Sequence, residues 1–363
     1  MRIVFLSYNY SPDIHSPAEW LDRIKFYIGW NEFLANKHTV IRVDQIDYKG
    51  NFKYNGIQYY CVDDGKKKNY FPRKLNRFVK DLKPDIILVS SFLFPLQVIQ
   101  LRNCLGNKAK IILQHHAEKP FKGLKKYLQY LASRKVDAFF FTSYKTGTEW
   151  VKNKNLDSEK KVYELLEVSS PFYPVNKKIA REKTNISGLP VFLWVGRLNQ
   201  NKDPLIVVKA FLKFTLLQPN AKLYMIYQTD ELIKEIYDLL PPKPGDNPVI
   251  LVGKIQHSEL LYWFNSADFY VSASHYEGSG TALCEAMSCG CIPLVSDIPS
   301  FRTISNNCGL FFEPGNEYSL LSALQQSIHL EVEEKRNHTL GRFKTVLSFE
   351  AIFSKFQEII ESL

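Results

Sequence analysis

The densest run of chemically able side chains is His275-Tyr276-Glu277-Gly278-Ser279-Gly280-Thr281-Ala282-Leu283-Cys284-Glu285-Ala286-Met287. Its glycines allow a tight turn and let a ligand reach backbone N–H groups. A helix opening near Thr281 adds unsatisfied donors and partial positive charge. Gly278, Ser279, Gly280 and Thr281 together therefore read as an anion site. Glu285 lies four residues beyond Thr281 on the same helical face, so Glu277 and Glu285 would flank one pocket. A carboxylate repels phosphate but accepts hydrogen bonds from hydroxyls, so the implied ligand carries both. The third glycine of a dinucleotide fingerprint is missing, and a capped helix with surface glutamates would look the same in isolation.

A second loop narrows the choice. The strand Val191–Val195 runs into Gly196-Arg197-Leu198-Asn199-Gln200-Asn201-Lys202-Asp203-Pro204. This puts a guanidinium and an ammonium at a strand's carboxyl end, ahead of a helix that Asp203 would cap with Pro204 at its first position. The sequence has no Asp-x-Asp pair to hold a divalent ion on a diphosphate. Arg197, Lys202 and the helix start are then the counter-charge available to a leaving diphosphate, and no metal or other cofactor is expected.

Those loops need strands and helices to hold them. With 363 residues, 45% hydrophobic and 23% charged, the chain exceeds what one hydrophobic core usually serves. Short β-branched or aromatic runs alternate with helical patterns, the signature of parallel α/β architecture. Strands are expected at Arg2–Ser7, His38–Val43, Asp85–Ser91, Lys110–Gln114 and Asp137–Thr142, with helices near 17–35, 73–83, 94–104, 121–134 and 144–153. Residues 170–189 break the pattern with prolines and charge, as a linker does. The order then restarts with strands at Pro190–Gly196, Ala221–Ile226, Pro248–Val252, Phe269–Ser272 and Ile292–Ser296 and helices near 203–217, 258–265, 281–289 and 317–330. The last segment, Phe349–Leu363, puts its apolar residues on one helical stripe that needs a surface to cover. The expected architecture is α/β, with two Rossmann-like domains (residues 1–172 and 173–345) facing across a cleft and a final helix over 346–363.

Charge and cysteines bound the remaining classes. Residues 1–170 hold 29 Lys and Arg against 17 Asp and Glu, and the rest hold 18 against 20. The basic half would suit nucleic acid, an anionic membrane or an anionic substrate, and charge alone does not choose. Six cysteines in a chain this long, none in a C-x-x-C pair, read as reduced and mostly buried. The spacing of Cys284, Cys289 and Cys291 does not suit zinc. No stretch approaches a membrane span and no cleavage site follows the first apolar run, so a cytoplasmic chain is expected.

Glu277 and Glu285, spaced as Glu-x7-Glu within Tyr-Glu-Gly-Ser-Gly-Thr-Ala-Leu-Cys-Glu-Ala-Met-Ser-Cys-Gly-Cys-Ile-Pro-Leu-Val-Ser, together with Val195-Gly-Arg197-x4-Lys202, resemble a known enzyme family. They look like the donor-binding half of the family 4 GT-B retaining glycosyltransferases (glycosyl transferases group 1), over roughly residues 190–315. The resemblance implies a GT-B fold and a metal-free hexosyltransferase that uses a nucleotide-sugar donor and retains anomeric configuration. Arg197 and Lys202 would hold the diphosphate, Glu277 and the Gly278–Thr281 backbone the donor sugar, and Glu285 the ribose hydroxyls. Residues 1–172 would bind the acceptor, 173–345 the donor, and the last helix would cross back onto the first domain.

In the first half, His115-His116-Ala117-Glu118 resembles the family's strand-end histidine near the reacting sugar. Ungapped comparison favours His116, and His115 is also a candidate. A histidine there can donate to a sugar hydroxyl or shuttle a proton. The chain departs from the family at Ser11–Glu19, where a glycine pair is usual, and at Met225-Ile226-Tyr227-Gln228, where a glycine commonly follows the strand.

The expected partners are a nucleotide-sugar donor and a glycan or lipid-linked acceptor, as in bacterial surface polysaccharide or lipopolysaccharide synthesis. An epimerase or hydrolase of nucleotide sugars would use the same loops. A nucleic-acid-binding protein would explain only the charge, and no basic recognition module accompanies it. Two amphipathic stretches, Phe121–Lys135 and Tyr70–Lys83, would suit peripheral contact with the inner face of an anionic cytoplasmic membrane. They would equally suit helices that pack an apolar stripe on the sheet and leave lysines in water.

Overall fold

A computed structural model describes residues 1–62, 70–241 and 247–363. The chain forms two compact units, Met1–Ser169 with Phe349–Leu363, and Ser170–Ser348. Each is a parallel sheet flanked by helices, the Rossmann-like arrangement that the alternating apolar runs predict.

The first unit holds β1 (Arg2–Ser11), β2 (Thr39–Ile46), β3 (Gly50–Tyr54), β4 (Ile57–Val62), β5 (Ile86–Ser90), β6 (Lys110–Gln114), β7 (Ala138–Phe141) and β8 (Val162–Glu164). Their order across the sheet is β3-β4-β2-β1-β5-β6-β7-β8, all parallel except the β3–β4 hairpin. That hairpin turns on Asn55-Gly56, both at positive φ, a turn signal that sequence reading passed over. The chain runs from β1 outward through β2 and then returns to β5 on β1's other side, so β1 and β5 bound a topological switch point. The β1–β2 register shifts between Leu6 and Tyr10, an irregularity that re-aims the end of β1.

Helix α1 (Pro17–Ala35) covers this region. Ser16 caps it by accepting from the Glu19 N–H, and Pro17 occupies its first turn. The last helix, α14 (Phe349–Ser362), buries Ile352, Phe353, Phe356, Ile359 and Ile360. It packs on α1, with Trp30 5.1 Å from Phe356 and Phe33 stacked on Phe353. Gly29 makes the approach, because a Cβ there would lie 2.5 Å from the Phe349 ring.

The second unit orders β11 (Val249–Gly253), β10 (Lys222–Tyr227), β9 (Val191–Gly196), β12 (Phe269–Ser272), β13 (Ile292–Ser296) and β14 (Leu310–Phe312) in one parallel sheet. Its switch point lies between β9 and β12, paired at Phe192 and Phe269, whose rings stack at 4.9 Å in the core. Helix α7 (Pro204–Thr215) follows β9, and α10 (Thr281–Ser288) follows β12.

Residues 170–189 are not a plain linker, since they contain α6 (Lys177–Thr184). Only Ala180 of this helix is buried, so no apolar period announces it. Polar contacts hold it: Asn176 accepts from the Lys178 and Ile179 N–H groups, and Lys177 and Arg181 both reach Asp268.

Helix α4 (Gly123–Ser133) contradicts the reading in which its apolar stripe packs on the sheet. The buried residues are Gln129, Ala132 and Ser133, while Leu124 is 92%, Tyr127 64% and Leu128 40% exposed. Among the described residues no helix is long and apolar enough to cross a membrane.

Candidate functional site

Two groups of residues gather at the two switch points. In the second unit, β9 ends at Gly196 and delivers Arg197, which is exposed and forms no ion pair among the described residues. The loop then turns on itself, with the Lys202 N–H bonded to the Asn199 carbonyl and side chain. Pro204 opens α7 as expected, but Asp203 does not cap it. Asp203 sits in the left-handed region at φ 44°, and its carboxylate accepts from His275 Nε2 at 3.0 Å.

This contact is one of several stitching the loop after β9 to the loop after β12. Asn201 donates to the Tyr276 carbonyl and accepts from the His275 N–H. Lys202 and Glu277 form an ion pair, and Glu277 also accepts from Ser274 Oγ at 2.8 Å. The structure thus joins Lys202 and Glu277 directly and sets Arg197 at the end of the adjacent strand.

Gly278–Thr281 leads into α10. Gly280 occupies the N-cap at φ 59°, and a Cβ there would meet Ile304 Cδ1 at 2.7 Å. A glycine satisfies both constraints, and it leaves the first-turn N–H groups without a side-chain cap. Glu285, on α10, is 3% exposed and meets His257 Nε2 at 2.6 Å. Phe172 stacks on the His257 ring at 5.0 Å. Burial, and behind it the charges of Glu277 and Glu285, push the Tyr270 phenol far up. Sequence reading missed His257, whose only signal was to lie on the turn after a strand.

The three cysteines considered for zinc are buried packing residues, and burial pushes the Cys284 and Cys291 thiols up to about 12.

In the first unit, the two candidate histidines part company. His115 is 2% exposed and stacks on Phe141 at 4.7 Å, with Trp150 edge-on. Burial lowers its pKa, and its Nε2 meets the Glu118 carbonyl at 3.0 Å. His116 instead lines a cavity of about 460 Å³ formed by α1 and the ends of β1, β2, β5 and β6. Its Nδ1 is paired with Glu167, a residue in the loop after β8 that sequence reading missed. Desolvation opposes charge on the ring, but Glu167, and then Glu118, outweigh it and hold the His116 pKa above its ordinary value.

Glu118 also ties the strand-end loops together by accepting from the Phe92 and His116 N–H groups. Ser91 (φ 81°) and Ala117 (φ 73°) both line the cavity in the left-handed region, which L side chains rarely adopt. Such strain clusters where surrounding structure holds a functional geometry.

Set beside known proteins, residues 176–342 match the family model described as "Glycosyl transferases group 1", nearly the whole of the second unit. A GDP-mannose:cellobiosyl-diphosphopolyprenol alpha-mannosyltransferase of Xanthomonas oryzae pv. oryzae (strain PXO99A) is 31% identical over 119 residues, 32% of this chain and 31% of that protein. The chain thus spans about a third or less of the length of the curated relatives it matches. The sucrose-phosphate synthase of Thermosynechococcus elongatus superposes with a TM-score of 0.74 at 17% identity, covering 99% of this chain and 98% of that one. Anabaena Alr3699/HepE in complex with UDP does so with a TM-score of 0.73 at 13% identity, covering all of both chains. These likenesses establish the GT-B fold class.

Proposed function

We propose that this chain is a family 4, retaining, metal-independent hexosyltransferase. It moves a sugar from a nucleotide-diphosphate sugar to a glycan or lipid-linked acceptor in bacterial surface polysaccharide or lipopolysaccharide synthesis. The observation that carries this reading is the second unit's switch point, where Lys202 pairs with Glu277, Arg197 stands exposed at the end of β9, and α10 starts without a side-chain cap. Cations and free N–H groups suit a diphosphate, and carboxylates suit the hydroxyls of ribose and sugar. The match of residues 176–342 to a glycosyltransferase family supports the same assignment.

The chemistry follows from charge. Lys202 is neutralised by Glu277 in this structure, so an arriving diphosphate competes with Glu277 for the ammonium. Its capture releases the Glu277 carboxylate to accept hydroxyls of the donor sugar. Arg197, Lys202 and the α10 amides then face the negative charge that grows on the diphosphate as the glycosidic bond breaks, which lowers the barrier without a metal. Glu285, with His257 beside it, takes the ribose hydroxyls.

A lipid-linked acceptor is the choice that the mannosyltransferase's name supports. The surface of α4 is consistent with it: Leu124, Tyr127 and Leu128 project into solvent beside Lys122 and Lys125, apolar and basic together, as an anionic membrane face requires.

A thermal-shift panel of nucleoside diphosphates identifies the donor base, since a ligand of the folded state raises its stability. Guanosine and uridine diphosphates lead it, because the relative's name contains GDP-mannose and the solved structure holds UDP. Transfer from the matching nucleotide sugar in excess chelator then tests the enzyme. An isomerised donor or free sugar, with no acceptor-dependent product, would establish an epimerase or hydrolase instead.

A further inference from the structure

We propose that His257 is the residue that positions Glu285 for the donor's ribose, with Phe172 holding the imidazole in place, so that His257 sets how strongly the protein prefers a ribonucleotide to one without ribose hydroxyls. The assignment rests on the transferase reading above, in which Glu285 takes the ribose, and adds the residues that aim it.

Glu285 lies within α10 and is only 3% exposed. A carboxylate this deep keeps its charge only beside a group that compensates it, and it then points where that group holds it. His257 Nε2 stands 2.6 Å from Glu285 Oε1. Because a carboxylate only accepts, the imidazole carries a proton on Nε2 and donates it to the bond. A hydroxyl arriving at Glu285 therefore meets a carboxylate whose orientation one short hydrogen bond has set. The His257 side chain keeps 29% of its surface exposed beside 4% for Glu285, so the pair reaches solvent at the imidazole. A buried charge pair seldom adds stability over apolar residues of the same size, so one on the helix that follows the switch-point strand β12 points to use rather than packing.

His257 is held in turn. It opens the short turn His257–Glu259 after β11, which a reciprocal cap between Gln256 and Glu259 closes. The Phe172 ring stacks on the imidazole at 5.0 Å with 21° between the planes, and this fixes the plane in which Nε2 points. Phe172 belongs to a segment that α9 (Leu260–Ser266) and α10 pin down. Buried Asn265 of α9 donates to the Tyr173 carbonyl at 3.0 Å and accepts from the Val175 N–H at 2.7 Å. Ser170 Oγ accepts from the Phe172 N–H at 3.0 Å and lies 2.9 Å from Ser288 Oγ. Ser288 Oγ is in turn 2.7 Å from the Glu285 carbonyl. The contacts close a circuit from Glu285 through His257, Phe172, Ser170 and Ser288 back to α10. A stretch with the composition of a linker thereby braces the carboxylate.

Isothermal titration calorimetry on the intact chain tests this. The probes are whichever of uridine and guanosine diphosphate raises the melting temperature more, and its dideoxy counterpart, which lacks both ribose hydroxyls. Wild-type protein should bind the dideoxy form about tenfold or more weakly, since a site built to accept hydroxyls discriminates against their absence. His257→Leu removes the donor and should bring the two affinities within about threefold by weakening the ribonucleotide alone. His257→Gln places an amide N–H where Nε2 stood and should restore most of the preference. Phe172→Leu, which keeps both partners but frees the imidazole, should fall between. In steady state His257→Leu should raise donor KM by a larger factor than it lowers turnover.

A His257→Leu protein that melts at a lower temperature yet keeps the full preference for ribose overturns the proposal. Equal loss in the Gln and Leu variants does so too, as does wild-type protein that binds both probes equally. Should His257→Leu fail to fold, Phe172→Leu decides, and an unaltered preference there overturns the proposal. A preference for ribose that depends on His257, in a protein that transfers no sugar, would sink the transferase reading and leave the positioning role standing. Transfer by a protein whose preference His257→Leu leaves whole would do the reverse.

Discussion

The two switch points occupy equivalent places in two similar sheets and are built from opposite materials. The one between β9 and β12 is open and charged, with Arg197 exposed and Lys202 held by Glu277. The one between β1 and β5 is a half-open pocket walled by aromatic rings, its Arg42 neutralised by Asp44. A parallel sheet dictates where a ligand sits, and the side chains at the strand ends dictate what it is.

The sharpest way to break this contrast is to remove the cations of the open site. Arg197→Ala or Lys202→Ala should cost about 2–4 kcal/mol in turnover, the range for preorganised charge stabilisers. Steady-state kinetics on folded protein checks it. Unchanged turnover together with unchanged nucleoside diphosphate affinity would remove the diphosphate from this loop. Glu277→Gln separates the two roles of the pair: with its competitor gone, Lys202 should bind nucleoside diphosphate more tightly, while transfer falls because a sugar contact is weakened.

Next in size is Glu285→Gln. If Glu285 accepts from the ribose before and during reaction, the change should raise donor KM by about 1–2 kcal/mol and leave turnover near normal. A fall in turnover with constant KM would place Glu285 at the reacting sugar instead.

The open site was largely legible in sequence because it is local. Gly278–Thr281 is contiguous, and Arg197 and Lys202 share one loop, so types and spacing carry the message. The Lys202–Glu277 pair joins segments whose roles were each readable alone. The aromatic-walled site is assembled from α1 and the ends of four strands. No spacing announces Glu167 reaching His116. The fold shows the same division. The long buried strands of both sheets gave clear apolar runs. By contrast α6, with one buried residue, and the three-residue strands β8 and β14 gave none. Helix α4 stayed open for a different reason: its apolar stripe was visible, but a stripe on a helix does not say which way it faces.

That helix supplies a smaller effect, on where the protein works rather than what it does. Vesicle sedimentation should show binding to anionic bilayers that weakens with salt and falls by about 1 kcal/mol for each of Lys122, Lys125 and Lys126 replaced. Leu124→Ser should weaken it without altering the salt dependence, since Leu124 contributes burial and no charge. Equal binding to neutral and anionic vesicles would return α4 to an ordinary solvated face.

The smallest expected effect is a displacement along the pH axis, and it tests the aromatic-walled site without disturbing its shape. His116 faces Glu167 and Glu118, which favour its charged form, and Arg42 and His115, which oppose it; burial also opposes it, and the net result is a raised pKa. Charged His116 carries protons on both nitrogens, so Nε2 can no longer take up a proton in a shuttle. The acceptor's kcat/KM should therefore fall as pH drops through the His116 pKa. Glu167→Gln keeps an oxygen for the Nδ1 proton but removes the carboxylate that comes first among the groups raising that pKa. The His116 pKa must then fall, and the acidic limb of the profile should move to lower pH while donor KM stays fixed. A variant whose acidic limb does not move would leave Glu167 as packing, and activity that falls instead as pH rises through the His116 pKa would mean that the charged ring, donating through Nε2, is the active form.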